Sequence, residues 1–434
     1  MSTNTNDVAL ELRTTAEQLL AQMRQQGFDG AQVSVRRSRR QELNVAHNEP
    51  SLLRSTEATQ VQLTGLLDGR RADAEGSELD ADSLRALVQG LWASVASAPQ
   101  DSANAVSAGQ RARVRRGPQR SDAAVLADAV HEMLDWRARE VPSVMLEEAL
   151  AGHTQTSSCT LTSGGSELEA EVGDYDAVVF GMAREGTASS SFNYAGGHCE
   201  RLAGEPLMPR FGMGDMLRAM TRSVHTRPIG EPFVGAVVLT PPAMAGLLGW
   251  LLGQLGDQAL IDGSSVYRGS VGQRAASPLL TLASRFDAPG VPPFAADAFA
   301  LAPVTLLDRG TLKCLTPSLY GSRKTALPHV PVCAEGWDLA AGTTPLAQLI
   351  AGVPRGALVD RLSMGRPAAN GDFSGVIKNS FAIRDGEVGQ ALSETMISGN
   401  VAQMLRDVSA LSAERIDSGD WVVPWVRVEA LHFS

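Results

Sequence analysis

Apolar residues in the first hundred positions switch between two periods. Over residues 7–26, Leu12, Ala16, Leu19, Leu20 and Met23 fall on one stripe of a helix. Glycines at 27 and 30 end that pattern, and AQVSVRR (31–37) then alternates as a strand with Val33 and Val35 inward. RQELNVA (40–46) alternates again, with Leu43 and Val45 on one face. The two runs predict a hairpin turning near Ser38, with Arg36, Arg37, Arg39 and Arg40 at a solvated tip. A strand over 60–67 meets Asp68-Gly69, a strong hairpin signal because both residues tolerate positive φ. Leu84, Leu87, Val88, Leu91 and Val95 mark a helix over 82–96.

Periodicity then lapses. Residues 99–122 are rich in Ser, Ala and Gln and carry Arg111, Arg113, Arg115, Arg116 and Arg120, which reads as a linker or surface loop. A helix returns over 123–138, with Val125, Leu126, Val130, Met133 and Leu134 apolar. Residues 143–202 are β-rich, with turns expected at Gly164-Gly165 and Gly196-Gly197. A short helix over 215–224 leads through Pro228 and Pro232 to a boundary near residue 228. Beyond it strands and turns dominate: runs 376–384 and 387–395 flank an Asp385-Gly386 turn, a short helix covers 401–409, and WVVPWVRVEAL makes a final strand. The pattern predicts an α+β chain in three parts. Residues 1–98 form helices packed on an antiparallel β-sheet, and 99–227 a linker plus middle domain. Residues 228–434 form a β-rich domain built around a buried glycine-rich helix.

That helix lies in 233–256, FVGAVVLTPPAMAGLLGWLLGQLG, a segment without charge. Pro241-Pro242 split it into a strand and a helix of about 14 residues, short of the roughly 20 a bilayer needs, so a buried core element is expected. Met244, Leu247, Leu248, Leu251, Leu252 and Leu255 make one wide apolar stripe. Gly246, Gly249, Gly253 and Gly256 make an adjoining one. Each helical glycine costs roughly 0.8–1 kcal/mol against alanine. Tertiary packing must supply that stability, and the glycine face is expected to admit another backbone closely.

Composition narrows the function classes. The 434 residues carry 38 basic and 48 acidic side chains, a formal charge of −10 that argues against a general nucleic-acid surface. The four cysteines show no CxxC spacing, which suits a reducing cytoplasm, and residues 1–20 lack the apolar core of a secretory signal. Neither a GxxxxGK[ST] loop nor a GxGxxG opening a helix is present, so nucleotide chemistry is not expected. His131-Glu132 has no second His on its helix, and His198-Cys199 is a weak metal signal. Lys378 and Tyr267 are not placed near a nucleophilic Ser by spacing.

Several segments together resemble one family. They are 233–256, then SVYRGS (265–270) and SPLLTL (277–282), LLDRGTLK (306–313), RGALV (355–359) with GDFSG (371–375), DGEVG (385–389), and SGNV (398–401). Their order resembles the TldD/PmbA family, strongly over 228–429 and more weakly over 7–98. The family's catalytic members carry His-Glu-x-x-x-His on the helix after the first strand. Here Gly249, Trp250 and Gln254 stand at those three positions, and 411–423 lacks the cysteine that serves as a further ligand. The chain resembles the PmbA/TldE-type subunit, with no catalytic or metal-binding residues of its own. The resemblance implies a zinc metalloprotease whose zinc sits on a TldD-like partner, acting on unfolded or leader peptides. It assigns Tyr267, Arg268, Asp372, Phe373 and Ser374 to substrate binding. A metal-independent homodimer that binds peptide, or a divergent enzyme of modified-peptide biosynthesis, is the alternative.

Overall fold

The computed structural model describes residues 5–434 except Met364 and Glu394. Strand β1 (Gly30–Ala46) does not turn at Ser38, which lies mid-strand between Ala58 and Thr156. The turn comes at His47 and Asn48, with φ of 52° and 67°. The arginines that suggested a solvated tip are paired instead. Arg37 meets Glu11 at 2.7 Å, Arg39 meets Glu57 at 3.0 Å and Arg40 meets Asp176 at 2.8 Å. A charge run inside a strand is stable when neighbouring elements supply opposite charge.

Strands β2 (Glu49–Leu67) and β3 (Arg70–Gly76) meet at the predicted Asp68-Gly69 turn, with φ of 48° and 71°. The arginine-rich stretch is not all loop: β4 (Arg111–Arg116) pairs in parallel with β6 (Glu167–Glu185). Arg111, Arg113 and Arg115 stand directly opposite Glu167, Glu169 and Glu171, so their period of two was a strand signal. With β5 (Val144–Thr162), β7 (Ala188–Ser189) and β8 (Asn193–Cys199), these make one sheet in the order β3-β2-β1-β5-β6-β4. The sheet thus takes strands from both sides of residue 98.

Gly196 and Gly197 lie inside β8 rather than at a turn. A Cβ on Gly196 would come within 2.4 Å of the Ala177 carbonyl oxygen, and one on Gly197 within 2.6 Å of the Ser418 carbonyl oxygen. Close backbone approach is why this strand carries glycine.

Helices α1 (Thr5–Gln26) and α2 (Ala81–Ser97) cover one end of the sheet through Leu12, Leu19, Met23, Val88 and Leu91. Helices α3 (Ala123–Glu140) and α4 (Met213–Arg222) cover the other through Leu126, Met133 and Leu217. A second sheet is built from the C-terminal half. Its strand Phe233–Leu239 lies between Arg355–Val359, parallel, and Trp421–Phe433, antiparallel. The fold is α+β, and its C-terminal part is β-rich. The Asp385-Gly386 hairpin forms, but the run before it splits into Asp372–Lys378 and Phe381–Arg384 around Asn379, whose φ is 52°. Within the 387–395 run, Glu394 lies outside the described residues.

Helix α5 (Pro241–Leu255) packs on the second sheet. Its prolines open the helix, where a missing N–H costs nothing. Met244, Leu247, Leu248, Leu251 and Leu255 are each at most 1% exposed. The glycine face departs from expectation. A Cβ on Gly246, Gly249 or Gly253 would meet nothing within 4 Å, so no backbone among the described residues packs there. Among the described residues, no helix is long and apolar enough to cross a membrane.

Candidate functional site

The three positions that align with a metal-binding motif are occupied by groups with other duties. Gly249 offers no side chain, and its face of α5 is open. The Trp250 indole donates its N–H to the Ala368 carbonyl at 3.2 Å and stands edge-on to Tyr267, ring centroids 6.1 Å apart. Gln254 is buried, and its side-chain oxygen accepts the Val266 N–H at 3.0 Å. A catalytic zinc takes three N, S or carboxylate ligands and an open position. This donor set does not fit one. In 411–423, Asp417 is held by Arg285 at 2.8 Å and by the Gly419 N–H, also at 2.8 Å.

The five residues assigned to substrate fall into separate settings. Tyr267 is 1% exposed; burial pushes its hydroxyl up to about 12, and that hydroxyl has no hydrogen-bond partner among the described residues. Arg268 is exposed and donates to the Leu260 carbonyl at 3.2 Å. Asp372 accepts from Asn400 at 2.8 Å and Asn370 at 2.7 Å, and these bonds hold its carboxyl below the usual range. Phe373 belongs to the core, whereas Ser374 is exposed opposite Ser398 on the neighbouring strand. Trp250 links the groups, touching Tyr267 on one side and lying beside Gly371 on the other. The patch reads mainly as a braced wall.

A different region is open. Between the two sheets lies a cavity of about 940 Å³, lined by β8, the first turns of α5, and Leu358, Asp360, Arg361, Leu362, Phe381, Trp421 and Trp425. Strand β8 pairs only with β6 among the described residues, so its other edge faces this space. The His198 N–H points across that edge to the Ser418 carbonyl at 2.9 Å. By the alternation of a strand, the backbone of Gly196 and the carbonyl of Tyr194 point the same way.

Asp360 marks the floor. It accepts from Asn193 of β8 at 2.8 Å and from Thr240, the residue before α5, at 2.9 Å. Protein encloses it on most sides, and that burial raises its carboxyl above the ordinary range against the pull of those two bonds and of Arg361. The Arg361 guanidinium lies 5.2 Å from the Tyr194 ring centroid. His198 Nδ1 donates to the Asp174 carboxylate at 2.7 Å, and that bond raises its imidazole despite burial. Cys199 points into the core on the opposite face of β8, where burial pushes its thiol up. The His198-Cys199 pair is therefore divided between two faces and cannot chelate. Sequence reasoning missed Asn193, Thr240 and Asp360 because they meet only across the two sheets; the Gly-Gly pair inside β8 was the one local sign.

Known proteins share parts of this architecture. Residues 234–434 match the PmbA/TldA metallopeptidase C-terminal domain. Over those residues, a little under half of the chain, the protein is similar to that family. Beyond it, the whole fold is shared with family structures at low identity. TldE from Thermococcus kodakarensis superposes with a TM-score of 0.81 at 18% identity, covering 97% of this chain and 100% of its own. A candidate modulator of DNA gyrase from Bacteroides thetaiotaomicron gives 0.84 at 20% identity, with both chains fully covered. Another from Thermotoga maritima gives 0.77 at 16% identity, covering 97% of this chain and 100% of that one. No curated protein matches the sequence. The PmbA/TldD domain thus supplies α5, the braced wall around Trp250 and one side of the cavity, and β8 supplies the other.

Proposed function

We propose that this chain is the metal-free, PmbA/TldE-type subunit of a zinc peptidase, shaping a cleft in which an unfolded peptide is held while a TldD-like partner supplies zinc and cleaves. One observation carries the reading: Gly249, Trp250 and Gln254 offer no free ligand atom on the helix where this family binds metal. The zinc, when bound on the partner, would activate water for hydrolysis. The residues of this chain would hold the peptide. The outer edge of β8 is partly taken, since the His198 N–H bonds Ser418 and the Tyr194 N–H bonds the Asn193 side chain, but the Gly196 backbone and the Tyr194 carbonyl remain for strand addition. Such an edge accepts extended segments and excludes folded proteins.

The test is to purify the chain alone and together with a TldD-like protein, then assay an unstructured peptide and measure zinc. Cleavage only in the mixture, abolished by mutating the partner's His-Glu motif, is the expected outcome. Zinc and cleavage in the single chain would overturn the proposal. Peptide binding with no cleavage in either sample would replace it with a metal-independent, homodimeric peptide binder.

A further inference from the structure

The cavity has two chemically distinct walls. One is main chain: the outward edge of β8 over residues 194–197, short of the His198 N–H that Ser418 takes, which at about 3.3 Å per residue matches an extended segment of about four residues. The other is apolar and aromatic, with Phe211, Met216, Leu362, Phe381, Trp421 and Trp425 facing the space. At about 940 Å³ the cavity is near the top of the roughly 300–1,000 Å³ typical of ligand sites, more than a peptide backbone alone would fill. Its charged lining leans acidic: Asp215, Asp360 and Asp420 stand against Arg361 and His198. Arg361 is already stacked on Tyr194, and His198 is bonded to Asp174.

Resting on the peptide-holding role above, we propose that this cavity selects the peptide, taking large apolar or aromatic side chains at alternate positions of an extended segment and rejecting acidic ones. In a strand, side chains i and i+2 point to one side, so a peptide paired to β8 presents alternate residues to the aromatic wall. Each large apolar side chain so buried tightens binding by about tenfold or more. A carboxylate in the same place loses water beside Asp360, Asp420 and the Arg218-paired Asp215, while Arg361 and His198 are already engaged.

Gly246 provides a clean lever. It lines the cavity, sits in the first turns of α5, and has nothing within 4 Å of where a Cβ would be. Gly246→Leu therefore starts from an unobstructed Cβ, extends a side chain into the cavity and raises helix propensity. The measurement is fluorescence anisotropy of the full-length chain with a labelled Ser/Thr/Ala dodecapeptide carrying two guest residues at i and i+2. Leu or Trp guests are expected to bind at least about tenfold more tightly than Ser, with Asp weakest. Gly246→Leu should weaken the Trp peptide at least about tenfold while its melting temperature does not fall. Gly90→Leu on α2, equally unobstructed, should leave affinity unchanged. Equal affinity for every guest, or a Gly246→Leu variant that binds as wild type, would overturn the selection while leaving peptide binding in place. If no peptide binds, alone or with a catalytic partner, both readings fail.

Discussion

The two ends of α5 differ in what surrounds their polar neighbours. Toward its C-terminus, the Trp250 N–H and the Gln254 oxygen are tied to Ala368 and Val266. At its N-terminus, Thr240 and Asp360 border a cavity of about 940 Å³. One helix is thus a structural brace at one end and a cavity wall at the other.

Substitutions should separate the two environments. The largest effect is expected on the packed face, where Leu248 is 0% exposed. Leu248→Ala should cost about 2–5 kcal/mol in chemical denaturation, whereas Leu362→Ala at the cavity wall should cost under about 1 kcal/mol, because its atoms already border open space. A similar loss at both sites would erase the distinction. Next, Gln254→Ala should cost about 1–2 kcal/mol by removing the acceptor of the Val266 N–H and opening a small void; an unchanged midpoint would show that the brace contributes nothing.

Asp360 gives a pH signature. Its folded-state carboxyl is raised above the ordinary 3.8, so the folded chain keeps a proton that the unfolded chain releases. Stability should therefore fall as pH rises from that ordinary value through the raised one and level off above it. Asp360→Asn should remove this fall in melting temperature, and a variant with the wild-type pH profile would place the proton elsewhere. The smallest effect belongs to the open glycine face. Gly249→Ala should add about 0.8–1 kcal/mol of stability, since the new methyl meets nothing and only helix propensity changes. Destabilisation would mean that the face is packed after all.

How far these features were legible depended on the distance over which each was determined. The stripe Leu12, Leu19, Met23 and the Asp68-Gly69 and Asp385-Gly386 turns are local matters of side-chain period and backbone tolerance. They emerged where expected. The Ser38 hairpin failed because the neutralising partners of Arg37 and Arg40 come from α1 and β6, far along the chain. The 99–122 linker hid β4 because its arginines gain strand logic only opposite Glu167, Glu169 and Glu171. The present duties of Trp250 and Gln254 were not legible, since Ala368 and Val266 approach only in the folded state.

By itself, the sequence determined the helix and strand periods, the apolar stripe of α5 and the chemical inability of Gly249, Trp250 and Gln254 to hold zinc. Those follow from residue type and spacing within one element. Only the tertiary structure decided that the glycine face of α5 is open, that β8 keeps a free edge, and that Asn193, Thr240 and Asp360 converge on one cavity. Convergence of that kind depends on how two sheets meet, and no period along a single strand or helix encodes it.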